Sequence, residues 1–140
     1  MVTVLTRVQN DLIDVAGDLG TPFKGGADDG YVSRVEEACR HYNATLRVLD
    51  TFVVPGGTHA SALLYEAGTT VRRAERATWA AAERYDDINV VTARYLNRLA
   101  DLLFVLGRAT NVEHGDVTWQ PGLTARVGLL PSQAVSAAAE

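Results

Sequence analysis

Residues 90–110 read VVTARYLNRLADLLFVLGRAT. Tyr95, Leu99, Leu102, Leu103 and Leu106 return at three- and four-residue intervals, the spacing of one helix face. The stretch therefore predicts a long amphipathic helix over about 90–110, with Asp87 or Asn89 of the preceding YDDIN turn as its cap. Asn97 and Asp101 interrupt the apolar run. They are four residues apart, so they share a face.

Working outward, the same period recurs three times. Val4, Leu5, Val8, Leu12, Val15 and Leu19 predict a helix from Val2 to Leu19, ended by Gly20, Thr21 and Pro22. KGGADDG is a loop in which Asp28 or Asp29 caps a second helix, with Val32, Val35, Cys39, Tyr42, Leu46 and Leu49 as its stripe. FVVPGG breaks the pattern, because Pro55-Gly56-Gly57 cannot continue a helix. Thr58 or Ser61 then caps a third helix running from about His59 to Arg84. No strand pattern of any length and no internal repeat occurs. Long helices joined by short connections must lie side by side, so the expected fold is all-α: an antiparallel bundle of four long helices over residues 1–111, followed by an irregular C-terminal tail over 112–140.

Composition narrows the function. The chain has 140 residues, 47% apolar and 21% charged, which is a globular balance in one domain. A net charge of −4 argues against a general nucleic-acid or membrane-surface binder. Cys39 stands alone, so there is neither a disulfide framework nor a thiolate metal site. No run of about 18 apolar residues and no signal-peptide pattern occurs, which predicts a cytoplasmic protein. Lys24 is the only lysine, and every other basic side chain apart from the histidines is arginine. Arginine suits planar, two-pronged contact with phosphate or carboxylate, although a genomic bias towards arginine codons yields the same count.

Three of those arginines crowd into VRRAERATW, residues 71–79. Arg72 and Arg76 share a face, Arg73 sits about 100° round, and Glu75 is placed to bridge to Arg72 at i, i+3. If the third and fourth helices are neighbours, the arginines meet Asn97 and Asp101. Such a cluster binds an anion, and polyphosphate fits guanidinium geometry best. A solvated face with weak surface ion pairs accounts for the same spacing. Other chemistry is poorly supported. GGADDG lacks the Gly-Lys-Ser/Thr end of a phosphate loop. His41, His59 and His114 are not at metal-ligand spacing, so no metal site is expected. No Gly-x-Ser-x-Gly elbow is present.

RVQNDLIDVAGDL, FVVPGGTHASALL, VRRAER and YLNRLADLLFVLGR, in this order and spacing, resemble the PduO-type cob(I)alamin (corrinoid) adenosyltransferases. GDVTWQPG resembles the tail of actinobacterial members. The resemblance spans about Leu5 to Gly122. It implies a helical-bundle homotrimer with ATP and corrinoid at subunit interfaces, and transfer of the 5′-deoxyadenosyl group of ATP to Co(I) of cobalamin, with Mg²⁺ on the triphosphate. It further implies that Arg72, Arg73, Glu75, Arg76 and Asn97 contact ATP, that Arg76 and Asp101 serve catalysis, and that Phe52 crowds the lower face of the corrin. Two departures stand out. Family members carry a Thr-Gly-Asp-Gly-type loop and a further helix before the QNDL motif, whereas Met1 stands only a few residues before Gln9. They also carry an arginine where this chain has Gly68. A catalytically impaired short paralogue that binds corrinoid or nucleotide, or a ligand-free trimeric scaffold, are the alternative readings.

Overall fold

The computed structural model describes residues 1–21 and 26–130. Four long helices form: α1 (Val2–Gly20), α2 (Asp29–Asn43), α3 (His59–Ala82) and α4 (Val90–Ala109). A fifth, α5 (Leu123–Val127), has only five residues. α4 is the central helix. It packs along α3 and α2 and touches α1 more sparsely. The short 83–89 connection makes α3 and α4 antiparallel neighbours, and the all-α bundle is as the periodicity predicts.

Local chemistry sets the starts. The Asp28 side chain accepts from Gly30 N at 2.9 Å, Thr58 Oγ1 from Ser61 N at 3.1 Å and Asn89 Oδ1 from Val91 N at 3.0 Å. Each satisfies an amide that the first helical turn leaves unpaired. α1 ends at Gly20, and Thr21 adopts an extended backbone. Pro22, expected to share in that ending, lies outside the described residues, as do residues 131–140 of the expected tail.

The core follows the stripes. Val8, Val15, Val32, Val35, Leu64, Val71 and the α4 residues Tyr95, Leu96, Leu99, Leu102, Leu103 and Leu106 are buried together. At about 1.5–3 kcal/mol for each fully buried large side chain, this cluster supplies the main drive to fold. The second stripe was expected to continue to Leu46 and Leu49, but α2 ends at Asn43. Leu46 N instead bonds to Asn43 O in a turn, and both leucines are half-buried in the connection.

Both ends of the bundle are stitched by buried polar side chains. At one end Asp18, which is buried, accepts from Ala27 N (3.2 Å) and from the Asn89 side-chain amide (2.7 Å), which also donates to Ala27 O. At the other end Asn111 accepts from Thr58 N (2.9 Å) and donates to Gly56 O (2.8 Å). Gly57, at φ +96°, lies against the Asn111 amide, and a Cβ there would collide with it. From residue 112 to 130 the described chain is irregular apart from α5 and an antiparallel bridge between Val53 and Thr118.

Candidate anion and ligand site on the third and fourth helices

The seam between α3 and α4 brings the interrupting polar residues together. Asn97 Nδ2 donates to Glu75 Oε1 at 3.1 Å. One turn of α4 further on, Asp101 Oδ1 is 3.6 Å from Arg72 Nη2, and Asp101 Oδ2 is 3.3 Å from Arg98 Nη1. Arg98 Nε in turn meets Glu36 Oε1 of α2 at 2.9 Å. A chain of alternating charge, Glu36–Arg98–Asp101–Arg72, thus crosses three helices. Its members are roughly half exposed, so as surface pairs they contribute little to stability. Glu75 does not bridge to Arg72 as its spacing suggested, because Asn97 already occupies its carboxylate and Asp101 competes for the guanidinium.

The helix period separates the three arginines. Leu64, Gly68, Val71 and Thr78 mark the buried face of α3, with Glu75 at its edge. Two residues from Glu75 is about 200° of rotation, so Arg73 stands on the far side of α3 from the seam. Arg72 and Arg76 lie together on its flank. Arg72, Arg73 and Arg76 are all exposed, and among the described residues no ion pair engages Arg73 or Arg76. A cleft of about 210 Å³ opens beside the seam, lined by Glu75, Trp79 and Asn97 together with Glu36, Arg94 and Arg98. A larger cleft of about 530 Å³ lies between α1 and α2, where Arg7, Asp11, Arg34, Glu37 and His41 stand among residues of the apolar stripes; none of Phe52, Arg72, Arg73, Glu75, Arg76, Asn97 and Asp101 lines it. The smaller one is the cleft that the Glu75–Asn97 pair enters.

Phe52 stands apart from this cluster. Arg72 is 13 residues past the start of α3, about 20 Å along the axis at 1.5 Å per residue. The two therefore do not share a pocket within one chain. Phe52 is 76% exposed, and its ring meets Trp119 edge-on at 5.9 Å between centroids. Val54 N bonds to Val117 O and Trp119 N to Phe52 O, both at 2.8 Å. Behind them Arg108 and Asp116 form a buried pair at 2.9 Å. No sequence signal marked Trp119, Asp116 or Arg108 as partners of the Phe52 loop, because a single bridge of irregular segments has no period to detect.

Among the described residues, no group of three or more histidine, cysteine or acidic side chains is placed to hold a metal ion, and no helix is long and apolar enough to cross a membrane.

The fold is thus an all-α bundle whose central helix carries a polar break opposite an arginine-bearing neighbour. A family model described as cobalamin adenosyltransferase matches residues 1–110. The corrinoid adenosyltransferase of Mycobacterium tuberculosis is 47% identical over 127 residues, covering 85% of this chain and 65% of the relative. That of Mycobacterium leprae is 44% identical over 130 residues, covering 85% and 68%. A variant PduO-type ATP:corrinoid adenosyltransferase from Lactobacillus reuteri, solved in complex with cobalamin and ATP, superposes with a TM-score of 0.77 at 27% identity, over 85% of this chain and 68% of that one. The chain belongs to the cobalamin adenosyltransferase family. It spans 65% of the length of the Mycobacterium tuberculosis relative.

Proposed function

We propose that this chain carries the nucleotide- and corrinoid-facing residues of an ATP:corrinoid adenosyltransferase. The observation that carries the reading is the Arg72–Asp101 and Glu75–Asn97 seam, built where α4 breaks its apolar stripe. The electron pair of Co(I) attacks C5′ of ATP, a Co–C bond forms, the C5′–O bond breaks, and triphosphate leaves with that bond's electrons. Co(I) is already a strong nucleophile, so no general base is needed. The protein's work is alignment and stabilisation of the charge gathering on the triphosphate.

Each residue has a role in this reading. Arg72 and Arg76 receive phosphate oxygens, and the Arg76 guanidinium is exposed for that contact. Asp101 holds Arg72 in place, and Glu75 with Asn97 fixes the nucleotide end. The seam carboxylates are already engaged by arginine and amide groups, so Mg²⁺ enters on the triphosphate rather than on the chain. Phe52 offers an apolar ring to the lower corrin face. The phenylalanine and the arginine varied in the Lactobacillus reuteri structures are the same number of residues apart as Phe52 and Arg72, which supports these two assignments.

The working form is a homotrimer. The roughly 20 Å of α3 between its start, which the Phe52 loop precedes, and Arg72, and the outward face of Arg73, both favour sites completed by a second subunit. The location is the cytoplasm, in keeping with a lone unpaired Cys39. Residues 1–111 act as the bundle unit, and the segment from 112 onward closes the Phe52 end.

The test is adenosylcobalamin formation, followed by absorbance, from ATP and pre-reduced cob(I)alamin. Product at a rate above the uncatalysed mixture is expected. ATP and corrinoid binding without product would leave the binding-only alternative standing.

A further inference from the structure

Arg108 closes α4, and its side chain is only 4% exposed; that of Asp116 is 9% exposed. Asp116 Oδ2 accepts from Arg108 Nε at 3.0 Å, and Arg108 Nη2 also donates to Arg47 O at 2.6 Å. Three further buried oxygens, Asp116 Oδ1, Ser61 Oγ and Tyr65 OH, have no partner among the described residues. Burial, and then the Asp116 charge, push the Tyr65 hydroxyl up from its ordinary pKa. A buried ion pair is weak evidence for stability, since apolar side chains of equal volume serve as well or better. Its best-attested use is to fix one arrangement out of several. Here the arrangement is visible. Asp116 immediately precedes Val117, Thr118 and Trp119, the three residues that pair with Phe52–Val54. Phe52 and Trp119 then project together, 76% and 49% exposed, with their rings at 71°.

We propose that the Arg108–Asp116 pair is a positioning latch that fixes Phe52 and Trp119 as a two-ring apolar wall on the corrinoid side. The ligand half of this inference rests on the function proposed above. Arg108 and Asp116 themselves touch no ligand. They act through the 116–119 segment, which holds the Phe52 backbone from one side while Asn111 holds the Pro55-Gly56-Gly57 turn from the other.

The experiment uses amide exchange by NMR on the ligand-free chain, then titration with cob(II)alamin. In Asp116→Ala the Val54 and Trp119 amides should exchange at least about tenfold faster, while amides of Leu99–Leu103 keep their protection, since opening is local. Asp116→Asn, which keeps an acceptor for the guanidinium, should restore most of the protection. If Asp116→Ala does not fold, Arg108→Lys is read the same way, because it keeps the charge but loses the fork that reaches both Asp116 and Arg47 O. Paramagnetic broadening of the Trp119 indole signal reports corrinoid binding. The cob(II)alamin Kd should rise about tenfold in the latch variant with ATP affinity unchanged, because only the corrinoid wall has lost its preorganisation. Unchanged exchange at Val54 and Trp119 in a folded variant overturns the latch, as does equal weakening of ATP and corrinoid. A wild-type protein that binds no cob(II)alamin overturns the proposed function instead, and the exchange data alone then decide the positioning role.

Discussion

Asn97 donates to Glu75 across the α3–α4 seam at 3.1 Å, and among the described residues neither side chain has another hydrogen-bond partner. The bond therefore orients both groups. Asn97→Ala frees Glu75 and should raise the ATP Kd by roughly 3- to 10-fold, the worth of one hydrogen bond of about 1 kcal/mol. Calorimetric titration of ATP measures it. An unchanged Kd removes the pair from the nucleotide site.

Arg76 is exposed, and no ion pair engages it among the described residues. Arg76→Ala should leave thermal stability within about 0.5 kcal/mol, as surface changes do. Its effect on ATP should be larger, about 1.5–3 kcal/mol, the range for a charge-assisted hydrogen bond. The two numbers together test the role: loss of affinity with full stability marks a ligand contact, and equal affinity in both proteins excludes Arg76.

Phe52 should act on cobalt rather than on nucleotide. Phe52→Ala opens space for water or the dimethylbenzimidazole base beneath the corrin, and axial ligation stabilises Co(II) against reduction. Transfer starting from cob(II)alamin should fall sharply, and transfer from pre-reduced cob(I)alamin should fall less. Equal losses from both starting states would mean that the ring only shapes the pocket.

Gly68 lies on the buried face of α3. A Cβ there would sit 3.7 Å from Leu103 Cβ and 3.9 Å from Ala100 O, both ordinary van der Waals distances. Gly68→Ala removes backbone freedom from the unfolded chain at no steric cost, so it should stabilise by roughly 0.5–1 kcal/mol. Urea denaturation reads this directly, and a lowered midpoint would show that the seam closes more tightly than these distances allow.

Alkaline pH should loosen the bundle through Tyr95. Burial first, and then the Asp11 carboxylate, hold its hydroxyl well above the ordinary value of 10.0; the hydroxyl also donates to Asp11 at 3.2 Å. The folded state thus keeps a proton that the unfolded chain releases near pH 10. The stabilisation is complete below pH 10.0 and is lost as pH rises above it, by up to about 1.4 kcal/mol per pH unit. Tyr31 and Tyr65 are shifted the same way and add to the slope. Urea midpoints should fall more steeply between pH 9.5 and 11 in wild type than in Tyr95→Phe, and parallel slopes would count against Tyr95.

The helices were legible because their signals are local. Asp28, Thr58 and Asn89 cap within three residues of themselves, and the apolar stripes bury the faces their spacing marks. The end of α2 was not legible, since Leu46 and Leu49 keep the helical interval after the helix has stopped at Asn43. Half of the site was legible too. The spacing of Asn97 and Asp101 foretold a polar patch, but which carboxylate meets which cation depends on the relative rotation of α3 and α4. Arg108–Asp116 and Val53–Thr118 join irregular segments, where no period exists to read.

Arg72, Arg73 and Arg76 stand on the exposed sides of a helix whose folding contacts all run along its other face. The two sets of residues can drift independently. Substitutions that retune the charge presented to a ligand leave the folding free energy nearly untouched, and core changes leave the charge pattern intact. Ligand preference on this bundle is therefore evolvable by single steps through stable intermediates. Variation among natural relatives should concentrate on the outward positions of α3, while the buried Leu64 and Val71 change only in concert with α4.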